Sequence, residues 1–272
     1  MISPPQLSLE DVQFMTPLKS TVIGLVDECG RTEPRIREIT HLIESDPVFA
    51  ARLLAMANSP LFGCTREIAS IDRAVVVLGL KVISELAIVA GTEQTIKNTL
   101  GDERMKQDLF NHLLGCGIVA RRLAKTESTI DPGEAFLGGL LHDIGKLLLL
   151  SADIHMEQSI APRATTERQL RTEREHYGVE HQELGQRYAE LMGLPSSISR
   201  AIGNHHAPSD ADGLQSTIYR ANRLSRLWTI GSPADPDTAD ASNLDFELHG
   251  DTDAMGDAVL TEYRLLKEAM AN

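Results

Sequence analysis

The chain has 272 residues, 42% hydrophobic and 24% charged, which suits one large globular domain or two ordinary ones and excludes wholesale disorder. Acids outnumber bases 39 to 26, for a net charge of -13, so a nucleic-acid binder with a basic surplus is not expected. Aromatic residues make up only 4% while Leu, Ala, Ile and Val abound, the palette of an all-α protein rather than a sandwich or barrel.

The first hundred residues read as short amphipathic helices. Leu18, Val22, Leu25 and Val26 recur at helical spacing, as do Ile36, Ile39, Leu42 and Ile43 after Pro34. Asp46 can cap the next helix, with Pro47 just inside it and Phe49, Leu53, Leu54 and Met56 as its apolar positions. Asn58-Ser59-Pro60 stops that helix. Another starts at Ser70-Ile71-Asp72 and runs through Leu78, and Gly79 punctuates before a long helix to about Lys97.

A second block begins near Asp102. Met105 to Ala124 is periodic and carries His112. Asp131-Pro132-Gly133-Glu134 is a strong helix start, and the helix is expected to run from Ala135 to about Leu150. Further helices are expected at about Ala164–His176, Val179–Met192, Ser196–Asn204 and Leu214–Leu227. From Gly231 the chain turns acidic and proline-broken, a linker before a final amphipathic helix at about Ala254 to Met270 that either docks on the body or projects. The expected organisation is therefore an N-terminal helical lobe at 1–100, a second helical lobe at 101–230, and an acidic linker and helix at 231–272.

Cys29, Cys64 and Cys116 form no C-x-x-C pair, against a disulfide framework or a structural zinc knot. No basic region followed by an apolar run opens the chain, so no secretory leader is expected. Ala74 to Ala90 is the longest apolar stretch, but it contains Lys81 and Glu85 and reads as a packed helix. These features predict a cytoplasmic protein with no membrane partner.

Chemistry concentrates in the second block. His142 and Asp143 sit in the apolar run Leu141-His142-Asp143-Ile144-Gly145-Lys146, where a His and a carboxylate are costly unless paired or bound to an ion. Adjacent helical residues diverge by about 100°, yet both side chains can converge on an ion beside the helix. Lys146, one turn on, could meet an anion there. His205-His206 forms a second adjacent pair, with His181 and His112 on other segments. Imidazole and carboxylate ligands suit Mn, Fe, Ni or Zn, and two ions sharing a bridging Asp could activate water toward phosphorus. Each histidine alone is better explained by packing or capping; the ordered combination carries the functional reading. His41, His155, His176 and His249 have no companions and read as surface or packing residues.

That combination, His112, His142-Asp143, His181 and His205-His206, resembles the HD superfamily of metal-dependent phosphohydrolases. The His-Asp-Ile-Gly-Lys string at 142–146 also looks like the version in its cyclic-di-GMP phosphodiesterase branch. A closer resemblance is to the HDOD family, the HD-related output domain of bacterial signalling. Three stretches carry it: Ile43 to Ser59, Ile71 to Leu80, and Tyr177 to Gly185 followed by Met192-Gly193-Leu194-Pro195 and Ala201 to Pro208. The similarity runs from about Met15 to Trp228.

The resemblance implies an N-terminal helical lobe packed on an HD-like lobe, and a regulatory or scaffolding role with protein partners in signalling. HDOD modules commonly have eroded metal ligands; this sequence keeps nearly the whole set. It departs from the active pattern at Asn222, where a closing Asp is expected, and a neutral amide is a weak ligand for a divalent ion. Asp108, one turn before His112, is a candidate compensating carboxylate, although a surface or capping role is the commoner fate of such a residue. Ala207-Pro208-Ser209-Asp210 replaces the Gly-Tyr-Pro element of the cyclic-di-GMP enzymes, so turnover of that substrate is not expected.

Three readings follow. The first is a regulatory HDOD protein that retains a site for one or two divalent ions. The second is a working phosphohydrolase on a nucleotide or other phosphate ester, with Asp143 bridging the ions and Lys146 holding a phosphate oxygen. The third is an interaction module with no metal, whose histidines form a hydrogen-bonded core. The charge is informative about none of them: residues 231–272 hold ten acids against Arg264 and Lys267, so most of the acidity lies outside the candidate site.

Overall fold

Two aspartates open helices where the sequence places them. Asp46 Oδ1 accepts from the backbone N–H groups of Val48 and Phe49, both at 3.1 Å, and Asp131 Oδ1 from those of Gly133 and Glu134, at 2.8 and 3.0 Å. Each is followed by a proline whose missing N–H costs nothing in the first turn. In the computed structural model, residues 18–60, 62, 67–98, 103–126, 129–152, 166–209, 213–228, 230 and 252–271 are described. They form α1 (Ser20–Gly30), α2 (Ile36–Glu44), α3 (Pro47–Ala57), α4 (Ile71–Asn98), α5 (Glu103–Thr126) and α6 (Pro132–Leu141). The order continues with α7 (Ile144–Ala152), α8 (Thr166–Tyr177), α9 (His181–Leu191), α10 (Ser196–Gly203), α11 (Leu214–Leu227) and α12 (Thr252–Ala271). No strand occurs among the described residues. The protein is all-α.

The chain divides into two compact units, one of residues 96–259 and one of 18–95 with 260–271. In the second, Leu25, Ile39, Ile43, Leu53, Met56, Ala74 and Ile83 are buried at the spacings that made their helices amphipathic. Asn58 ends α3 by donating to the Leu54 and Ile68 carbonyls and accepting from the Ile68 N–H. Gly79 has φ +75 with an extended ψ and breaks the course of α4, a conformation that costs a residue with a Cβ about 1–3 kcal/mol. By length and composition α4 could cross a membrane, yet 56% of its most apolar window is buried within the protein.

The first unit is organised around α5, whose residues from Leu109 to Ala120 are buried on every side. Fully burying Leu113, Leu114 and Ile118 contributes about 1.5–3 kcal/mol each, which outweighs the about 1 kcal/mol of a helix cap. Packing places this helix; caps only set its neighbours' ends. α6 lies so close to α5 that a Cβ on Gly139 would stand 2.8 Å from the Cys116 carbonyl oxygen. α11 also packs on α5, while α7 and α10 pack on α9. The start of α12 docks in this unit: Val259 is buried, Gly256 abuts the Trp228 indole, and Arg122 Nη2 donates to the Ala258 carbonyl at 3.4 Å.

One expected element is corrected. The helix expected from Ala135 to about Leu150 is two helices, α6 and α7, separated by a turn at His142–Asp143. The break lets α7 leave the line of α6 and pack on α9, where the backbone at Gly145 meets that at His181 and Gly185. The acidic stretch from Gly231, together with Cys64, His155, Asp210 and His249, lies outside the described residues.

Candidate metal centre

The break at His142–Asp143 turns both side chains inward, and three other segments bring histidines to the same place. His112 comes from the middle of α5, His181 is the first residue of α9, and His205-His206 occupy the turn that follows α10. Asp143 is the focus. His181 Nε2 lies 3.1 Å and His205 Nε2 3.3 Å from its Oδ1; His142 Nε2 lies 3.3 Å and His112 Nε2 3.8 Å from its Oδ2. His206 Nε2 stands 3.1 Å from His181 Nε2. Lys146, at the start of α7, donates to Asp143 Oδ2 at 2.6 Å. His142, Asp143, His181 and His205 are fully buried, and His206 keeps partial exposure.

The inner histidines are oriented from behind. Nδ1–H of His142 donates to the Gly139 carbonyl at 2.7 Å, and that of His205 to the Ile202 carbonyl at 2.6 Å. His181 instead donates to a carboxylate, Glu173 Oε2, at 2.7 Å. With Nδ1 engaged, each ring presents Nε2 to the centre, the arrangement that prepares an imidazole for an ion.

Charges follow from these contacts. Burial opposes ionisation of Asp143, but His142 and Lys146 hold its carboxyl well below the usual range. His142 is raised to about 10, the Asp143 carboxylate outweighing burial, and His181 is raised because Glu173 does the same. Burial dominates at the other three: His205 falls to about 4, and His112 and His206 fall well below the ordinary histidine value. Those three imidazoles are neutral at pH 7 and keep lone pairs to offer.

The residues fit a divalent transition metal. Asp143, His181, His205 and His206 form one group of donor atoms mutually within 4.8 Å, and His112, His142 and Asp143 form another sharing Asp143. Several of these atoms are buried without a hydrogen-bond partner: both ring nitrogens of His112, Nε2 of His142 and Oδ1 of Asp143. Orphaned polar atoms are costly in a protein interior. Here they face one another across donor chemistry suited to Fe, Mn, Ni or Zn.

The HDOD domain family matches residues 15–208. The chain belongs to the HDOD family. No curated protein matches it, but solved structures share its fold. A protein described as a candidate phosphohydrolase from Shewanella amazonensis SB2B aligns with TM-score 0.73 and 22% identity over 97% of this chain and 96% of that one. An HDOD domain protein of unknown function from Geobacter sulfurreducens gives 0.67 and 21% over 97% and 96%. A candidate signal transduction protein from Marinobacter aquaeolei VT8 gives 0.68 and 20%, covering all of this chain, 100%, and 63% of its own. These structural alignments establish a common fold.

In this HDOD protein the sequence-selected His112, His142, Asp143, His181, His205, His206 and Lys146 are all gathered at one place. Asp108 is not among them: it is partly exposed and pairs with Arg104 at 3.9 Å, so the compensating role suggested for it is set aside. Asn222 is buried on α11, with its side-chain oxygen unpartnered. His176 packs its ring on Tyr177, 4.9 Å between centroids. Glu173 was not anticipated. It lies among Glu167, Arg168, Arg171, Glu175 and His176, a run that reads as a solvated helix face, yet it is fully buried. Its only sequence signal is its place one loop upstream of His181.

Proposed function

We propose that this HDOD protein binds one or two divalent transition-metal ions at the centre and acts on a phosphate-bearing ligand in bacterial signalling. Asp143, His181, His205 and His206 would hold one ion, and His112, His142 and Asp143 the other. When bound, such an ion lowers the pKa of water and polarises a phosphoryl oxygen, the chemistry a phosphohydrolase requires. Lys146, whose ammonium lies beside Asp143, would hold a phosphoryl oxygen. His206, less enclosed than its neighbours, marks the side from which a ligand approaches. The observation that carries this reading is the convergence of four imidazole Nε2 atoms on one buried carboxylate. The relatives of like fold, described as a candidate phosphohydrolase and a candidate signal transduction protein, support it.

Elemental analysis of the full chain, purified without chelator, tests the binding claim, and finding no transition metal sinks it. Turnover of bis(p-nitrophenyl) phosphate with Mn2+ or Fe2+ tests the chemistry, provided Asp143→Asn abolishes it. Activity that survives in Asp143→Asn does not belong to this site.

A second reading is a metal-free interaction module, and the Lys146–Asp143 pair favours it, because the ammonium already neutralises the carboxylate. On that reading His142→Ala lowers stability and there is no metal content to lose.

A further inference from the structure

Of the three inner histidines, His181 is held differently. His142 and His205 are anchored to neutral carbonyls three residues upstream. As the first residue of α9, His181 has no preceding helical turn to supply such a carbonyl. Its anchor comes from another helix. Glu173 Oε2, on α8, accepts from Nδ1–H of His181 at 2.7 Å and from its backbone N–H at 2.9 Å. The first bond sets the ring; the second fixes the helix start that carries it. Gln169 Nε2 in turn donates to Glu173 Oε1 at 3.0 Å, so both carboxylate oxygens are engaged.

The carboxylate is fully buried. A group so expensive to desolvate is poorly explained by the two bonds to His181, since a neutral amide would accept both. A charge at that spot does something an amide cannot: it strengthens the donor on the far side of the ring and adds negative charge beside a cation.

Building on the metal-binding reading above, we infer that Glu173 is the positioning residue of the centre. It holds His181 with Nε2 turned to Asp143 and supplies a second buried carboxylate charge one hydrogen bond behind that ring.

Two variants separate charge from shape. Glu173→Gln keeps the acceptor and loses the charge; Glu173→Leu loses both. The full chain, stripped of metal, is titrated with Mn2+, and the free ion is read from its electron paramagnetic resonance signal. Affinity is expected to fall about 10-fold in Glu173→Gln and about 100-fold in Glu173→Leu, with circular dichroism of Glu173→Gln unchanged. If Glu173→Leu fails to fold, the near-isosteric Glu173→Gln carries the test alone. A merely structural role predicts lower urea midpoints with Mn2+ affinity within 2-fold of the parent, and that result overturns the inference while leaving the metal site intact. Absence of Mn2+ binding by the parent overturns both.

Discussion

Lys146 and Asp143 form an ion pair of 2.6 Å at the start of α7, with both side chains almost wholly buried. The ammonium occupies the role that a bound ion would take, sharing with His142 the task of offsetting a buried carboxylate. Lys146→Met should therefore destabilise the metal-free protein by about 1.5–3 kcal/mol, the range for a hydrogen bond to a charged group, because His142 still faces the carboxylate. Saturating Mn2+ should restore most of that loss, because the ion neutralises the same carboxylate. Urea denaturation with and without Mn2+ measures both effects; an equal deficit in the two conditions contradicts the exchange.

Asn222 is buried with an unpartnered oxygen on α11, the helix that packs against His112-bearing α5. Asn222→Asp should raise bound Mn2+ by one ion per chain, as counted by elemental analysis at saturation. Without metal the added charge should cost roughly 1–3 kcal/mol, the penalty for an unsatisfied buried group. Unchanged stoichiometry would mean that position 222 does not face the ions.

Gly145 has no room for a side chain, since a Cβ would collide with the His181 carbonyl. In Gly145→Ala, α7 and α9 must separate, at a cost of about 3 kcal/mol at the upper end for overpacking. The same movement parts Asp143 from His181, so Mn2+ affinity should fall with stability. A variant that loses stability but binds Mn2+ normally would place the strain elsewhere.

The directions in which burial and Asp143 push the histidines lead us to expect a stability maximum for the metal-free protein near pH 6.5. His205 has a folded value of about 4 against 6.5 for the unfolded chain, so below 6.5 the unfolded state gains a proton that the folded state refuses. At about 1.4 kcal/mol per unit that amounts to roughly 3 kcal/mol lost between pH 6.5 and 4, and His112 and His206 act in the same direction. His142 works oppositely: with a folded value of about 10, its contribution is complete below 6.5 and is lost as pH rises through 10. Urea midpoints of chelator-treated protein at pH 4.5, 6.5 and 9 should pass through a maximum. A monotonic profile contradicts it.

Much of this was readable along the chain because the relevant forces act over a turn or less. The caps at Asp46 and Asp131, the stops at Asn58 and Gly79, and α11 from Leu214 to Leu227 all follow from residues within four positions of one another. The ligand set was legible too, since polar residues set in apolar helices need a reason to be there. What local pattern could not supply was the interruption at His142–Asp143, after which α7 packs closely on α9 at Gly145.

By itself, then, the sequence determined an all-α chain of the HDOD kind and the histidines and aspartate able to meet. Tertiary structure decided how they meet: that Lys146 turns onto Asp143, that Asp108 stays outside with Arg104, and that Glu173 is drawn inside. The physical reason is burial. Glu173 and Asp108 are both carboxylates with charged neighbours, and by local pattern Asp108, one turn before His112, looks the better placed of the two. Only the packing of other helices around Glu173 removes it from water and gives its charge to His181.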